Sequence, residues 1–176
     1  IPRLIGTPFA VTAPAIALPI AQALVVEMGG EPFEVAEEDR GVYHAALNHG
    51  ANFLATVVAQ SKQILSTVGI EDPGTFLRPL CEAALDRALR AGDRGVSGPI
   101  PRGDVGTIRE HLSVLEIKAK EENLAGEGQW AHRLEDARST YAAMTLHTVD
   151  LLEFEGRISS QVASEIRAAV REMGEK

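Results

Sequence analysis

The chain has 176 residues, 45% hydrophobic and 24% charged, which is the composition of one good-sized globular domain or a domain with a fragment beside it. Its 25 acidic against 17 basic residues give a formal net charge of −8 without any run of Lys or Arg, which speaks against a nucleic-acid or anionic-membrane surface. The single cysteine, Cys81, excludes an intrachain disulfide framework and a cysteine-rich zinc site.

Residues 1–38 read as strand–helix–strand. Phe9-Ala10-Val11-Thr12 is short, apolar and β-prone between Gly6 and Pro14. Ile16, Ile20, Leu24 and Met28 then recur at helical spacing, with Gly29-Gly30 as a stop. Pro32-Phe33-Glu34-Val35 alternates like a second strand. Parallel strands are normally covered on both faces, and one βαβ unit cannot do that alone. The chain also starts Ile1-Pro2-Arg3 without Met. Residues 1–38 are therefore expected to be the end of a larger α/β domain whose first part is absent. The apolar stretch 11–26 is broken by Pro14 and Pro19 and has no basic start. It is neither a membrane span nor a signal peptide, and the expected compartment is the cytoplasm.

Residues 39–70 read as one long helix. Tyr43, Leu47, Gly50, Leu54, Val57, Ser61, Ile64 and Val68 follow steps of three and four, the spacing of a buried stripe. A second line, His44, Asn48 and Asn52, is polar. Steps of four turn only about 40° around a helix, so the three share one side. Asn is a mediocre helix former, so two on one side call for a reason. Either they hydrogen-bond a substrate or cofactor amide in a cleft, or they form a solvated or subunit-contacting face. His49 lies well round the helix from His44, so the two make no metal pair.

Asp72-Pro73 opens the next helix, with Asp as cap and Pro at the first helical position. Leu77, Leu80, Cys81, Ala84 and Leu85 lie on its apolar face, which makes Cys81 a core residue rather than a nucleophile. Ala91-Gly92 ends it. Ser97-Gly98-Pro99-Ile100-Pro101-Arg102-Gly103-Asp104 follows, two Pro and two Gly around a single Arg. Such a loop is stiff and shaped. On spacing alone it reads as a tight interhelical corner; with Arg102 at a helix start it also suits an anion or a carbonyl substrate. Asp104 caps a helix running through Ile108, Leu112 and Leu115. A last long helix from Gln129 to Gly156 carries Trp130, Leu134, Ala137, Tyr141, Met144, Thr148 and Leu151 as a heptad-like seam. A final amphipathic helix, capped by Ser159 or Ser160, runs through Val162, Ile166, Val170 and Met173.

No Gly-x-Gly-x-x-Gly follows a strand, no Gly-Lys-Ser/Thr phosphate loop occurs, and no His-Glu-x-x-His is present. Ser97 lacks the flanks of a nucleophile elbow. His132 and His147 read as ordinary helix histidines, so no metal is expected.

Three segments taken together carry a resemblance: Glu37-Glu-Asp-Arg-Gly-Val-Tyr-His-Ala-Ala46, Asn52 in the same helix, and the 97–104 loop. In this order they resemble the C-terminal part of an uncharacterised family of Rossmann-like oxidoreductases, distantly like 6-phosphogluconate dehydrogenase, pyrroline-5-carboxylate reductase and ketopantoate reductase. The resemblance implies a mainly α fold, a helical bundle like the 6-phosphogluconate dehydrogenase C-terminal domain. Residues 39–176 would be that substrate and dimerisation domain, preceded in 1–38 by a short β-α-β remnant of a Rossmann sheet. It implies NADP or NAD as cofactor, a small oxo-, imino- or hydroxy-acid as substrate, and a homodimer through helical faces. Tyr43, His44, Asn52, Pro99, Arg102 and Asp104 fall on the motif positions. Hydride transfer to C=O or C=N needs a proton donor and an anchor for the substrate carboxylate. His44 is assigned the proton, Asn52 the orientation of a carbonyl or nicotinamide amide, and Arg102 the carboxylate, with Tyr43, Pro99 and Asp104 completing the substrate wall. His44, Asn52 and Arg102 are expected in one cleft. Lacking the glycine-rich fingerprint, the chain alone is expected to bind a dinucleotide poorly and to be inactive. The alternative reading is a non-catalytic helical interaction module that dimerises through the seam begun by Trp130.

Overall fold

The computed structural model describes residues 4–174, so the start Ile1-Pro2-Arg3 lies outside the described residues. The chain is mainly helical, with six α-helices and one two-stranded parallel sheet among the described residues. It divides into two compact units, one reaching to Ala55 and the other beginning at Thr56.

In the first unit, β1 (Pro8–Val11) leads through α1 (Leu18–Glu27) to β2 (Glu31–Glu34). The strands pair in parallel, with Phe9 opposite Pro32 and Val11 opposite Glu34. Pro32 cannot donate to the ladder, which confines it to an edge-like position. Gly30 permits the close entry into β2, since a Cβ there would sit 2.6 Å from the Phe9 ring. Val11 and Val25 are the buried side chains of this unit's core. The line expected to face inward on α1 does not: Ile16, Ile20, Leu24 and Met28 are all exposed. α1 is apolar on nearly every side, so its spacing could not tell the covered face from the uncovered one. A short 3₁₀ turn (Glu37–Asp39) then enters α2 (Arg40–Thr67), whose first half belongs to this unit.

The second unit starts in the second half of α2 and contains α3 (Pro73–Ala91), α4 (Val105–Leu124), α5 (Gly128–Phe154) and α6 (Ser160–Gly174). Local signals set the helix starts. Asp72 accepts from Thr75 N–H at 3.3 Å, Asp104 from Thr107 N–H at 3.0 Å, and Ser159 Oγ from Val162 N–H at 3.3 Å. Gly92, with φ +54°, ends α3.

The core lies between α4, α5 and α6. Ile108, Leu112, Val149, Leu152 and Ile166 are within 1% of complete burial and pack with Ile158, Ala163 and Val170. A second cluster joins Leu115, Ala119 and Leu134, against which Ile64 of α2 packs. Arg167 of α6 reaches Asp150 at 2.6 Å and Glu153 at 2.7 Å on α5. Arg138 on α5 pairs with Glu116 of α4 and donates to the Met173 carbonyl of α6.

Two expectations about coverage are corrected. α2 has no buried residue: Leu47, Leu54 and Val68 are exposed, and only Ser61 and Ile64 of the anticipated stripe are half-buried. On α3 only Pro73 is buried, Phe76, Leu80 and Leu89 are exposed, and Cys81 is half-buried rather than in a core. Periodicity identifies an apolar face and says nothing of what covers it. The seam on α5 also shifts. Its second half is Thr145, Val149 and Leu152 instead of Met144, Thr148 and Leu151, and Met144 is exposed. Leu134 and Leu152 are eighteen residues apart, about five turns of a straight helix, whereas a heptad line drifts away from that face.

Leu152→Ala removes a fully buried side chain from the three-helix contact and is expected to cost about 3 kcal/mol, against almost nothing for Phe154→Ala at 88% exposure. Urea unfolding followed by circular dichroism measures both.

Candidate functional site

The 97–104 loop is built by its surroundings. Val96 and Ile100 pack on the α4–α5–α6 core. Arg157, just after α5, donates to the Val96 carbonyl at 3.1 Å and to the Asp93 carbonyl. A 3₁₀ turn (Ile100–Arg102) follows Pro99, whose carbonyl accepts from Arg102 N–H at 3.2 Å and Asp104 N–H at 3.0 Å. Gly103 then takes φ +65°, with Val162 of α6 only 3.1 Å from where a Cβ would stand. Pro99 and Asp104 are half-buried and Arg102 is exposed. Asp104 uses both oxygens on Thr107, one on N–H and one on the hydroxyl at 2.7 Å. These bonds, the backbone one first, hold its carboxyl below the ordinary value, helped by the charges of Arg102 and His111.

Tyr43, His44, Asn48 and Asn52 lie on the first half of α2, all exposed. The polar line is real: the Asn52 amide donates to the Asn48 side-chain oxygen one turn earlier. His49 is on another side, edge-on to Phe53 at 5.2 Å. The structure thus groups Tyr43, His44 and Asn52 on one helix of the first unit. It groups Pro99, Arg102 and Asp104 in one loop of the second.

Two arrangements carry no sequence motif. At the carboxyl ends of β1 and β2 a cleft of about 340 Å³ is lined by Thr12, Pro14, Glu34, Val35 and Glu37. The Thr12 hydroxyl donates to the Val35 carbonyl at 2.5 Å and ties the two strand exits together. The rule that open α/β sheets bind ligands at strand carboxyl ends would have pointed here. In the second unit, His111 Nδ1 of α4 is 2.8 Å from the Tyr141 hydroxyl of α5. Burial pushes the Tyr141 phenol up, so it stays protonated at neutral pH.

The described residues do not fit a dinucleotide by themselves. The turn leaving β1, Thr12-Ala13-Pro14-Ala15, has no glycine, and Pro14 supplies no N–H for a phosphate. Glu34 and Glu37 add carboxylates at the same strand ends, where a pyrophosphate would be repelled.

A β-α-β element with a cleft at its strand ends, continuing into a helical unit with a shaped Arg-bearing loop, defines the class of this chain. It belongs to the family described as Domain of unknown function (DUF2520), whose model matches residues 7–148. Its fold is similar to the crystal structure of protein TM1727 from Thermotoga maritima, with a TM-score of 0.63 and 21% identity over 84% of this chain. The chain spans 54% of that protein, about half its length. No curated protein matches it.

Gly103→Ala is expected to destabilise the second unit by about 1–2 kcal/mol, the cost of a left-handed backbone at a non-glycine residue. Asp104→Asn tests the cap electrostatically. A lowered folded-state pKa stabilises above the unfolded value and is lost as pH falls through the folded one. The variant should therefore melt below the parent at neutral pH, and the gap should close once Asp104 is protonated in the folded parent. Melting curves across the acid range measure it.

Proposed function

We propose that this chain is the substrate-binding and dimerisation portion of an NAD(P)-dependent oxidoreductase acting on a small oxo-, imino- or hydroxy-acid. In this reading the β1–α1–β2 element is the remnant of a Rossmann sheet. The helical unit corresponds to the C-terminal domain of proteins like 6-phosphogluconate dehydrogenase. The observation that carries the reading is the parallel pairing of β1 and β2 around α1, the β-α-β unit from which Rossmann sheets are built. The resemblance of Glu37–Ala46, Asn52 and 97–104 to Rossmann-like oxidoreductases supports it. The phosphate-binding turn is assigned to sequence of the longer protein that this chain does not contain.

Arg102 is the anchor for the substrate carboxylate. It closes a turn held by Pro99 and Gly103, and its exposed guanidinium sits close enough to Asp104 to affect that carboxyl. A planar guanidinium meets a carboxylate through two parallel hydrogen bonds. His44 is the proton donor and Asn52 orients the reacting carbonyl, both from the polar line of α2, with Tyr43 and Pro99 lining the substrate. Dimerisation draws on the exposed apolar side chains of α3, among them Phe76, Leu80 and Leu89. Those same side chains favour the second reading, a non-catalytic helical interaction module.

The test uses the full-length gene product. Calorimetric titration with NADPH and NADH is expected to show binding to the full-length protein and none to the 176-residue chain. In turnover assays over a panel of 2-oxo acids, Arg102→Ala should raise KM at least about tenfold, the worth of a charge-assisted hydrogen bond, while leaving nucleotide affinity unchanged. A full-length dimer that binds neither nucleotide selects the interaction module.

A further inference from the structure

Within the helical unit, apart from the loop, the second half of α2 meets α4 and α5 around a cleft of about 140 Å³. Val57 and Ile64 of α2, Leu115 of α4, and Ala137 and Met144 of α5 supply its apolar wall. Four polar side chains share the lining, Gln60, Ser61, Thr140 and Tyr141, and the Ser61 hydroxyl donates to the Val57 carbonyl at 2.8 Å. The Gln60 amide donates to the Thr140 hydroxyl at 3.0 Å, and its carbonyl oxygen has no hydrogen-bond partner among the described residues. The Tyr141 hydroxyl is held 2.8 Å from His111 Nδ1, the two rings edge-on with centroids 5.6 Å apart.

We propose that this cleft binds a small neutral molecule carrying one hydroxyl on an apolar body of six or seven heavy atoms by order of magnitude, a phenol or a cyclic alcohol. Size sets the body, because an apolar cavity of roughly 150 Å³ takes a benzene-sized ligand. Charge is excluded because no ionisable group other than the Tyr141 phenol lines the cleft, and burial keeps that phenol neutral. Polarity selects the hydroxyl. The Gln60 carbonyl is open to a donor, whereas the Tyr141 hydroxyl already meets His111 and interacts with the Thr145 side chain, which leaves it at most one further bond. A hydroxyl both donates and accepts, so it suits either partner, whereas a ketone or a hydrocarbon offers the Gln60 carbonyl no donor in exchange for water. The Gln60–Thr140 pair and the Tyr141 hydroxyl, itself held by His111, thus place hydrogen-bonding groups beside the apolar wall.

Three methionines make the test direct. With methyl-¹³C methionine in the intact chain, p-cresol and toluene serve as probes differing only in the hydroxyl. The Met144 methyl is expected to shift saturably with p-cresol while Met28, in the first unit, stays still. The p-cresol Kd should be about tenfold below that for toluene, the scale of one hydrogen bond. Tyr141→Phe and Gln60→Leu should each shrink that ratio towards one with toluene affinity retained, which also reports that the cleft is intact. The proposal is overturned if Met144 does not respond to p-cresol, if the two probes bind equally to the parent, or if the preference survives both substitutions.

Discussion

The contact among Ile108, Leu112, Val149, Leu152 and Ile166 is the constraint on which the helical unit depends. These side chains are essentially removed from water, and each contributes on the order of 2 kcal/mol of hydrophobic stabilisation. The geometry of the contact follows from helix arithmetic. Leu134 and Leu152 present the same face of α5 five turns apart, and Thr145 and Val149 fill the interval. The chemistry-bearing groups hang from this contact. Val96 and Ile100 dock the 97–104 loop onto it, and Val162 of α6 limits what Gly103 can be. Tyr141 packs against both core clusters and carries its hydroxyl to His111.

The other helices stand in contrast. α1, α2 and α3 carry apolar side chains at helical spacing, yet Ile20, Leu47, Phe76, Leu80 and Leu89 are exposed. Each such side chain forgoes about 1.5–3 kcal/mol of burial. Scattered exposed leucines are ordinary, but faces of them along successive helices are the signature of surfaces that meet something else. A two-stranded parallel sheet poses the same demand, because parallel strands are normally covered on both sides. Among the described residues, the uncovered helix faces and the two-stranded sheet share one property, apolar or hydrogen-bonding surface that the α4–α5–α6 core does not cover.

What could be read in the sequence divides along the same line. Asp72 and Asp104 as caps, Gly92 and Gly156 as stops, and Ser159 before α6 are local signals, satisfied within one turn of chain, and each stands where the residues placed it. The two strands and six helices were legible for the same reason. Coverage was not, because it depends on partners distant in sequence: α2 and α3 have the pattern of buried helices and lack the burial. The α5 seam failed at its far end, where a heptad count and a 3.6-residue helix part company. Of the site, Arg102 and the His44–Asn48–Asn52 line were visible as motifs. The His111–Tyr141 pair joins residues thirty apart on different helices, and no spacing rule announces it.

Asp104 shows how a residue read for chemistry can first be bound by structure. Both its oxygens accept from Thr107, and those bonds favour the ionised form. A carboxyl held ionised cannot donate a proton at neutral pH, and one whose lone pairs face a helix start is poorly placed to take one. The loop therefore offers a fixed negative charge at Asp104 and, across the left-handed Gly103, a positive one at Arg102. The Arg102 charge acts on Asp104 from a distance, lowering its carboxyl further, and the Arg102 side chain stays exposed. Asp104 is thus a fixed charge at a helix start rather than a proton donor.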